Sequence, residues 1–406
     1  MTAPARFPYA PLITLATANF LAVSSEFLPT GLLPDIATSL GVSESRVGLF
    51  STAFAIAVAL TAPPLALLTR GFSRKWLLVV ALGVFALCNV VIWAVPVYGV
   101  ILVARVLAGM AHGVFWAVSG AYAAHLVPRH QLARAVSITN GGGSLAFVLG
   151  VPIGTAVGHA LGWQRGFLAM GATIVVLAVG IAVLLPAVDH RVRLATGEIA
   201  LPLHRDRSIP ALLAVFACIV VLAFGQNVFY TYVTPWLLGP GAFSAGVVPV
   251  LLFVYGAAGA VGLVLTGMLA DRFPRGILLG QAVLSILSVA GLAVTAGATA
   301  PSLVLFVLWS IAQGGIPAVL QSRMLHAASA RIRDVAAGAQ TSAFNISIGG
   351  GALVGGILLD GFGVAFLPWA FVLVNAVGLV VVVLATPRAP AGHQLGHTQP
   401  IPVAGC

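Results

Sequence analysis

Two ionisable side chains, Glu26 and Arg105, stand well inside long apolar stretches. On insertion scales such a group costs roughly 2.5–3.5 kcal/mol at the centre of a membrane span, so each marks a functional site by default. A carboxyl group keeps or gives up its proton according to its burial and the cations beside it. A rearrangement that joins Glu26 to Arg105, or parts them, would therefore capture or release a proton; a fixed structural ion pair is the plainer alternative. His112 offers a second proton site, because imidazole titrates near neutrality. Its plainer role is a hydrogen bond across a polar cavity.

Arg105, Gly109, His112, Trp116 and Ser119 recur at steps of four, three, four and three, which is one face of a helix. That face is too polar for lipid and is expected to line a central cavity. There Trp116 gives a flat substrate a stacking surface, or simply packs. Further on, Gln226, Asn227 and Tyr230 share one apolar stretch, and Trp309, Gln313 and Gln321 another. All of these are neutral. Charge coupling is thus expected in the N-terminal part and neutral hydrogen bonding in the C-terminal part, with helix-to-helix bonds as the alternative use of each amide.

The elements that must position these groups are membrane helices. Of 406 residues, 60% are apolar and 7% charged, with a mean hydropathy of +1.10; an ordinary soluble domain has about 25% charged residues. Twelve stretches reach the ~20 residues that cross a bilayer. They run at about 12–31, 47–68, 76–95, 99–124, 135–158, 166–187, 210–234, 244–268, 277–297, 302–326, 336–359 and 367–387. Runs this long lack the ten-residue alternation of a β-barrel. At 1.5 Å per residue, Glu26 and Arg105 both fall roughly 8–9 Å below the same edge of their spans, which makes them plausible partners.

The net charge of +10 does not imply nucleic acid, since most of the arginines sit singly between apolar runs. Three cysteines make no disulfide framework and no metal site, and no cofactor is implied. The runs Gly141–Gly143 and Gly349–Gly351 are not phosphate loops, because the one lysine of the chain is Lys75. Close helix packing explains them better, and ATP hydrolysis is not expected as the energy source. With the N-terminus inside, one side collects nearly all the loop cations and the other keeps only Arg46 and Arg165, so both termini are expected in the cytoplasm. Asp35 and Asp360 fall at the outer ends of their spans, where charge is tolerated, and no special role is expected of either.

The densest charge lies in a loop that divides the chain into an N-terminal half (1–187), a linker (188–208), a C-terminal half (209–388) and a tail (389–406) expected to be disordered. The halves repeat weakly at an offset of 201 residues: the run Leu68–Arg74 falls on Leu269–Arg275, and Gly150 and Gly154 fall on Gly351 and Gly355. Halves repeated about an axis along the membrane normal are one way to build alternating access.

Twelve spans in two such halves, with basic turns after the second and eighth, resemble the major facilitator superfamily. The opening stretch Ser25–Ala37, with Glu26, Pro29, Pro34 and Asp35, is similar to the first span of drug:proton antiporters of the arabinose-efflux and phenicol-exporter branches. Gly267, Asp271, Arg272 and Arg275 match the superfamily signature between the second and third spans of a half. The N-terminal copy departs from it: Arg70 and Gly71 replace the Asp-Arg pair, and Arg74 remains. Gly150, Pro152 and Gly154 loosely match the antiporter signature of the fifth span, with one residue intruding between Gly and Pro. Ile101, Arg105 and Gly109 match a fourth-span signature whose arginine is associated with proton coupling.

The resemblance implies an all-α integral membrane protein of two homologous six-helix halves in a bacterial cytoplasmic membrane. It implies a monomer that exports a small organic molecule, drug-like or a sugar or nucleoside, in exchange for protons. Its partners would be that solute, protons and the lipid bilayer. A facilitator or proton symporter of a sugar-like solute is the alternative; a receptor or assembly factor without transport fits the buried charges less well. No paired histidines, nucleophile triad or metal-ligand spacing suggests an enzyme.

Overall fold

The computed structural model describes residues 7–69, 71–128, 131–185, 206, 208–270, 272–274, 276–329 and 332–385. Lipid offers the backbone no hydrogen bonds, so an apolar chain must satisfy its own amides by coiling; among the described residues the protein is all helix. The first half comprises α1 (Tyr9–Gly31), α2 (Leu33–Leu40), α3 (Glu44–Leu68), α4 (Arg74–Ala94), α5 (Tyr98–Leu126), α6 (Leu132–Leu145), α7 (Val151–Leu161) and α8 (Trp163–Leu184). The second comprises α9 (Ile209–Tyr230), α10 (Val233–Leu238), α11 (Val248–Ala270), α12 (Gly276–Val294), α13 (Thr299–Ala327), α14 (Arg333–Phe362) and α15 (Leu367–Ala385). Among the described residues, twelve helical stretches are long and apolar enough to cross a membrane. Their outward faces carry bare aliphatics such as Val176 and Leu384, 72% and 79% exposed, which suits hydrocarbon and not water.

The repeat seen in the sequence is repeated in the helix boundaries. Tyr98–Leu126 and Thr299–Ala327 are related by the same offset of 201, and so are the turns that lead from the fifth to the sixth span of each half. Both turns rest on a glycine with positive φ, Gly162 at 94° and Gly363 at 80°, a backbone region that other residues rarely enter.

Prolines set the interruptions. The first span stops at Leu32, and Pro34 opens α2 in the second position. The seventh stops at Tyr230, short of the expected 234, and a separate turn of helix restarts at Val233 with Pro235. In the fifth span α6 widens into a π-helical turn, Ala146–Gly150, before α7. Pro152, just beyond it, has no N–H for the carbonyl one turn back, which favours the widening.

Within each half, helices approach until backbone meets backbone. A Cβ added to Gly142 of α6 would stand 1.8 Å from the Ala16 carbonyl oxygen of α1. One on Gly314 of α13 would stand 1.9 Å from the Gly259 carbonyl of α11. Between halves, α3 packs along α14, and the π turn with α7 packs on α11. Hydrogen bonds cross this seam from Ser45 to the Asp360 carboxylate (2.6 Å), from Thr52 to the Gly349 carbonyl (3.1 Å) and from Thr234 to the Thr30 carbonyl (2.9 Å). All three lie toward the face that α1 reaches at its end. Asp360, expected to have no role, therefore joins the two halves, because the end of α14 faces the start of α3. Asp35 also has a partner, His159 of α7 at 3.1 Å.

These contacts separate neighbouring glycines sharply. Gly142→Val is expected to abolish most monodisperse protein in size-exclusion chromatography of the detergent extract. Gly141→Ala, with nothing within 4 Å of its added Cβ, is expected to leave the profile unchanged. Equal profiles would contradict the helix approach described here.

Candidate functional site

Pro29 lies inside α1 and supplies no N–H to the Ser25 carbonyl one turn earlier. Arg105 of α5 answers that vacancy. Its guanidinium donates to the Ser25 carbonyl (3.1 Å), the Glu26 carbonyl (2.8 Å) and the Phe50 carbonyl of α3 (3.4 Å). Its cationic centre rests 4.5 Å from the ring centroid of Phe54. Arg105 is 2% exposed and Glu26 7%. The two residues meet as their equal depth suggests, but the arginine's hydrogen bonds run to backbone oxygens.

The Glu26 carboxyl group faces His112 instead, with Oε2 3.5 Å from Nε2. His112 is 3% exposed, and its ring lies edge-on to Phe54 at 5.0 Å and Phe85 at 5.7 Å. The same Nε2 accepts a hydrogen bond from the indole N–H of Trp116, one turn along α5, while Nδ1 is buried without a partner. Ser119 completes this face by donating to Asn19 of α1 (3.0 Å), which in turn donates to the Thr139 carbonyl of α6 (2.8 Å). Asn89 of α4 donates to Ser25 (3.0 Å). Trp116 is only half buried, and a Cβ added to Gly143 of α6 would stand 3.8 Å from the far edge of its ring.

In the C-terminal half, Gln226 of α9 donates to the Tyr255 hydroxyl of α11 (2.9 Å) and accepts from the Trp309 indole of α13 (3.2 Å). Tyr230 lies 5.1 Å from the Tyr255 ring and meets Phe27 and Phe147 of the other half at 6.3 and 6.4 Å. An aromatic bridge thus spans the seam, beginning one residue after Glu26. Asn227 bonds back to the Ala223 carbonyl (2.8 Å), and Gln313 turns toward Ser285 of α12 (3.0 Å), so both amides are engaged within their own half.

Of the signature residues, Gly150 presses on Ser24 and Gly154 on Leu28, which seats the fifth span against α1; Pro152 is buried beside them. Arg74 opens α4. Gly267 and Arg272 are exposed, the latter beside the Phe273 ring. Arg70, Asp271 and Arg275 lie outside the described residues, as do most of the linker and the whole tail. Among the described residues no cluster of three His, Cys, Asp or Glu side chains could hold a metal.

Sequence reasoning missed Asn19, Ser25, Asn89, Tyr255 and the Ser45–Asp360 bond. For Asn19 and Asn89 the available signal was a carboxamide in the middle of an apolar run. For the others, a hydroxyl or a span-end carboxylate gave none.

The model of the Major Facilitator Superfamily matches residues 15–349 of the chain. Among solved structures, the fold is similar to a bacterial homolog of the human lysosomal transporter Spinster in its inward-facing, unoccupied conformation. That match has a TM-score of 0.71 at 15% identity, covering 94% of this chain and 96% of the other. The inward-facing, occupied conformation of the homolog gives a TM-score of 0.70 at the same identity and coverage.

The dependence of α1 on Arg105 can be measured directly. Arg105→Lys keeps the charge but cannot reach all three carbonyls, and it is expected to lower the stability of the detergent-solubilised protein by about 1–3 kcal/mol. Pro29→Ala returns an N–H to the Ser25 carbonyl, so in that background the same substitution is expected to cost about 1 kcal/mol less. Strict additivity in this double-mutant cycle would show that the proline and the arginine are not linked.

Proposed function

This chain belongs to the Major Facilitator Superfamily, and we propose that it is a monomeric exporter exchanging inward-moving protons for a small organic molecule. Its fold is that of an alternating-access membrane transporter. The observation that carries the exchange reading is the Glu26–His112 pair, 3.5 Å apart and buried in the N-terminal half beside Arg105. A carboxyl and an imidazole in one dry pocket can share, lose or gain a proton, and a guanidinium within reach stabilises the carboxylate that loss creates. The antiporter-like first span carries this same glutamate.

The opposite wall favours a neutral or weakly polar solute. It is built of Tyr230, Tyr255 and Trp309, all buried in this conformation, and of a Gln226 amide held by two of them. Apolar and aromatic walls with a few placed polar groups are the ordinary make-up of a small-molecule site. Drug-like compounds such as phenicols fit that description, as do nucleosides. The distribution of loop cations favours a cytoplasmic location for both chain ends in a bacterial plasma membrane. In that orientation the seam bonds close the outer side.

Everted membrane vesicles energised to an acidic interior, with a pH-sensitive dye, test the reading. Adding a phenicol, a pentose and a nucleoside in turn is expected to dissipate the gradient for one class only, and Glu26→Gln is expected to abolish the response. A silent dye while a labelled solute still equilibrates would replace exchange with facilitated diffusion.

A further inference from the structure

We propose that Trp116 is the positioning residue that makes proton release from Glu26 conditional on solute, and that the solute carries an oxygen acceptor on a flat or aromatic frame. The proposal rests on the proton-exchange reading above and deepens it.

A neutral imidazole has one lone pair, on whichever nitrogen lacks hydrogen. At His112 two neighbours compete for Nε2. The Trp116 indole, which can only donate, gives its hydrogen to that atom. The Glu26 carboxyl oxygen stands 3.5 Å from it. While the indole holds Nε2, the ring's own hydrogen is on Nδ1, which is buried without an acceptor, and the proton of Glu26 has nowhere to go. The residues are four apart on α5, so the indole and imidazole face each other by helix geometry alone.

The surroundings leave Nε2 few other options. From α1 the titratable group facing the ring is Glu26. Arg105 lies on the same helix as His112, α4 brings the buried thiol of Cys88 and the Phe85 ring, and α3 brings Phe54. The cation can hold no proton for Glu26, and the rings offer no site for one.

Trp116 is the half-buried member of this otherwise buried group, and on this proposal its open side is the one the solute reaches. A solute whose carbonyl, ether or hydroxyl oxygen accepts the indole hydrogen draws it off Nε2. The O–H bond of Glu26 then breaks as an Nε2–H bond forms. This leaves a carboxylate beside Arg105 and an imidazolium, and the proton leaves Nε2 for water in the cavity. Solute loading and proton release thus exclude the same hydrogen bond. A flat frame is favoured because the acceptor must approach in the plane of an indole whose face remains free to stack.

Replacing the indole frees Nε2 permanently. In proteoliposomes carrying a proton gradient and no solute, Trp116→Phe is expected to speed gradient decay about tenfold over wild type, the weight of one hydrogen bond on the availability of Nε2. Trp116→Leu is expected to do the same and serves if the Phe variant inserts poorly. Adding His112→Gln or Glu26→Gln to either is expected to restore the slow decay. Slow decay in both Trp116 variants overturns the proposal, and so does fast decay that survives His112→Gln. Because this assay contains no solute, it is independent of the exchange reading. Tight Trp116 variants of a protein that still exchanges solute for protons defeat this inference alone. Leaking variants of a protein that never exchanges solute defeat exchange and leave the relay standing.

Discussion

The Ser25 carbonyl has no amide to bond one turn ahead, because Pro29 stands in that place. In water the fault would be repaired by solvent, but inside a membrane bundle an unmet carbonyl costs on the order of 1–3 kcal/mol. Arg105 repairs it, and much of the N-terminal half follows from that repair. A guanidinium brought to α1 must itself be held, so the Glu26 and Phe50 carbonyls and the face of Phe54 close around it. With the arginine committed to backbone oxygens, the Glu26 side chain turns to the next polar group on α5, His112. One missing amide in the first helix thereby fixes the cation on another and leaves the carboxyl facing a base.

The halves are joined by a different kind of bond. Among the described residues the carboxyl–imidazole contacts, Glu26–His112 and Asp35–His159, both lie within the N-terminal half. The seam is crossed by hydroxyl donors and by aromatic edges at 6.3–6.4 Å. Neutral hydrogen bonds are worth about 0.5–1.5 kcal/mol each, and charge-assisted ones more. The Ser45–Asp360 bond is the charge-assisted one of the seam and sits where α3 begins and α14 ends, so rigid rocking of one half against the other would have to break it. Backbone meets backbone across the seam as well as within each half, since a Cβ on Gly256 of α11 would stand 2.1 Å from the Phe147 carbonyl oxygen.

Much of this arrangement could be read from the residues, and the boundary of what could be read has physical causes. Span number, the repeat offset and the pair of buried charges were legible because hydropathy and ionisation are large terms that a single residue reports. Neighbours of those charges were not, because spacing along α5 says which face a residue occupies and not which atom it meets. Equal depth put Glu26 beside Arg105 correctly, yet the arginine went to carbonyls, since a missing proline N–H is invisible to a depth argument. Gln313 looked like a cavity residue by composition and turned to Ser285, because an amide follows its nearest partner. Asp360 looked like a tolerated surface charge, and only the approach of α14 to α3 gave it Ser45.

The asymmetry between the halves follows from these pairings. In the C-terminal half Gln226 is held at both ends, by Tyr255 and by Trp309, and Trp309 is further stacked on Phe229 at 5.0 Å. No member of that cluster changes charge near neutral pH, so its shape is the same in any protonation state. The N-terminal cluster has the reverse property, since Nε2 of His112 has two claimants and can serve one. The seam therefore has one wall whose hydrogen bonds are fixed and one whose hydrogen bonds can change. The link between the walls is short: Phe27 follows Glu26 directly on α1 and touches Tyr230 across the seam. Any shift of α1 that accompanies a change at Glu26 must move Phe27 against the fixed wall.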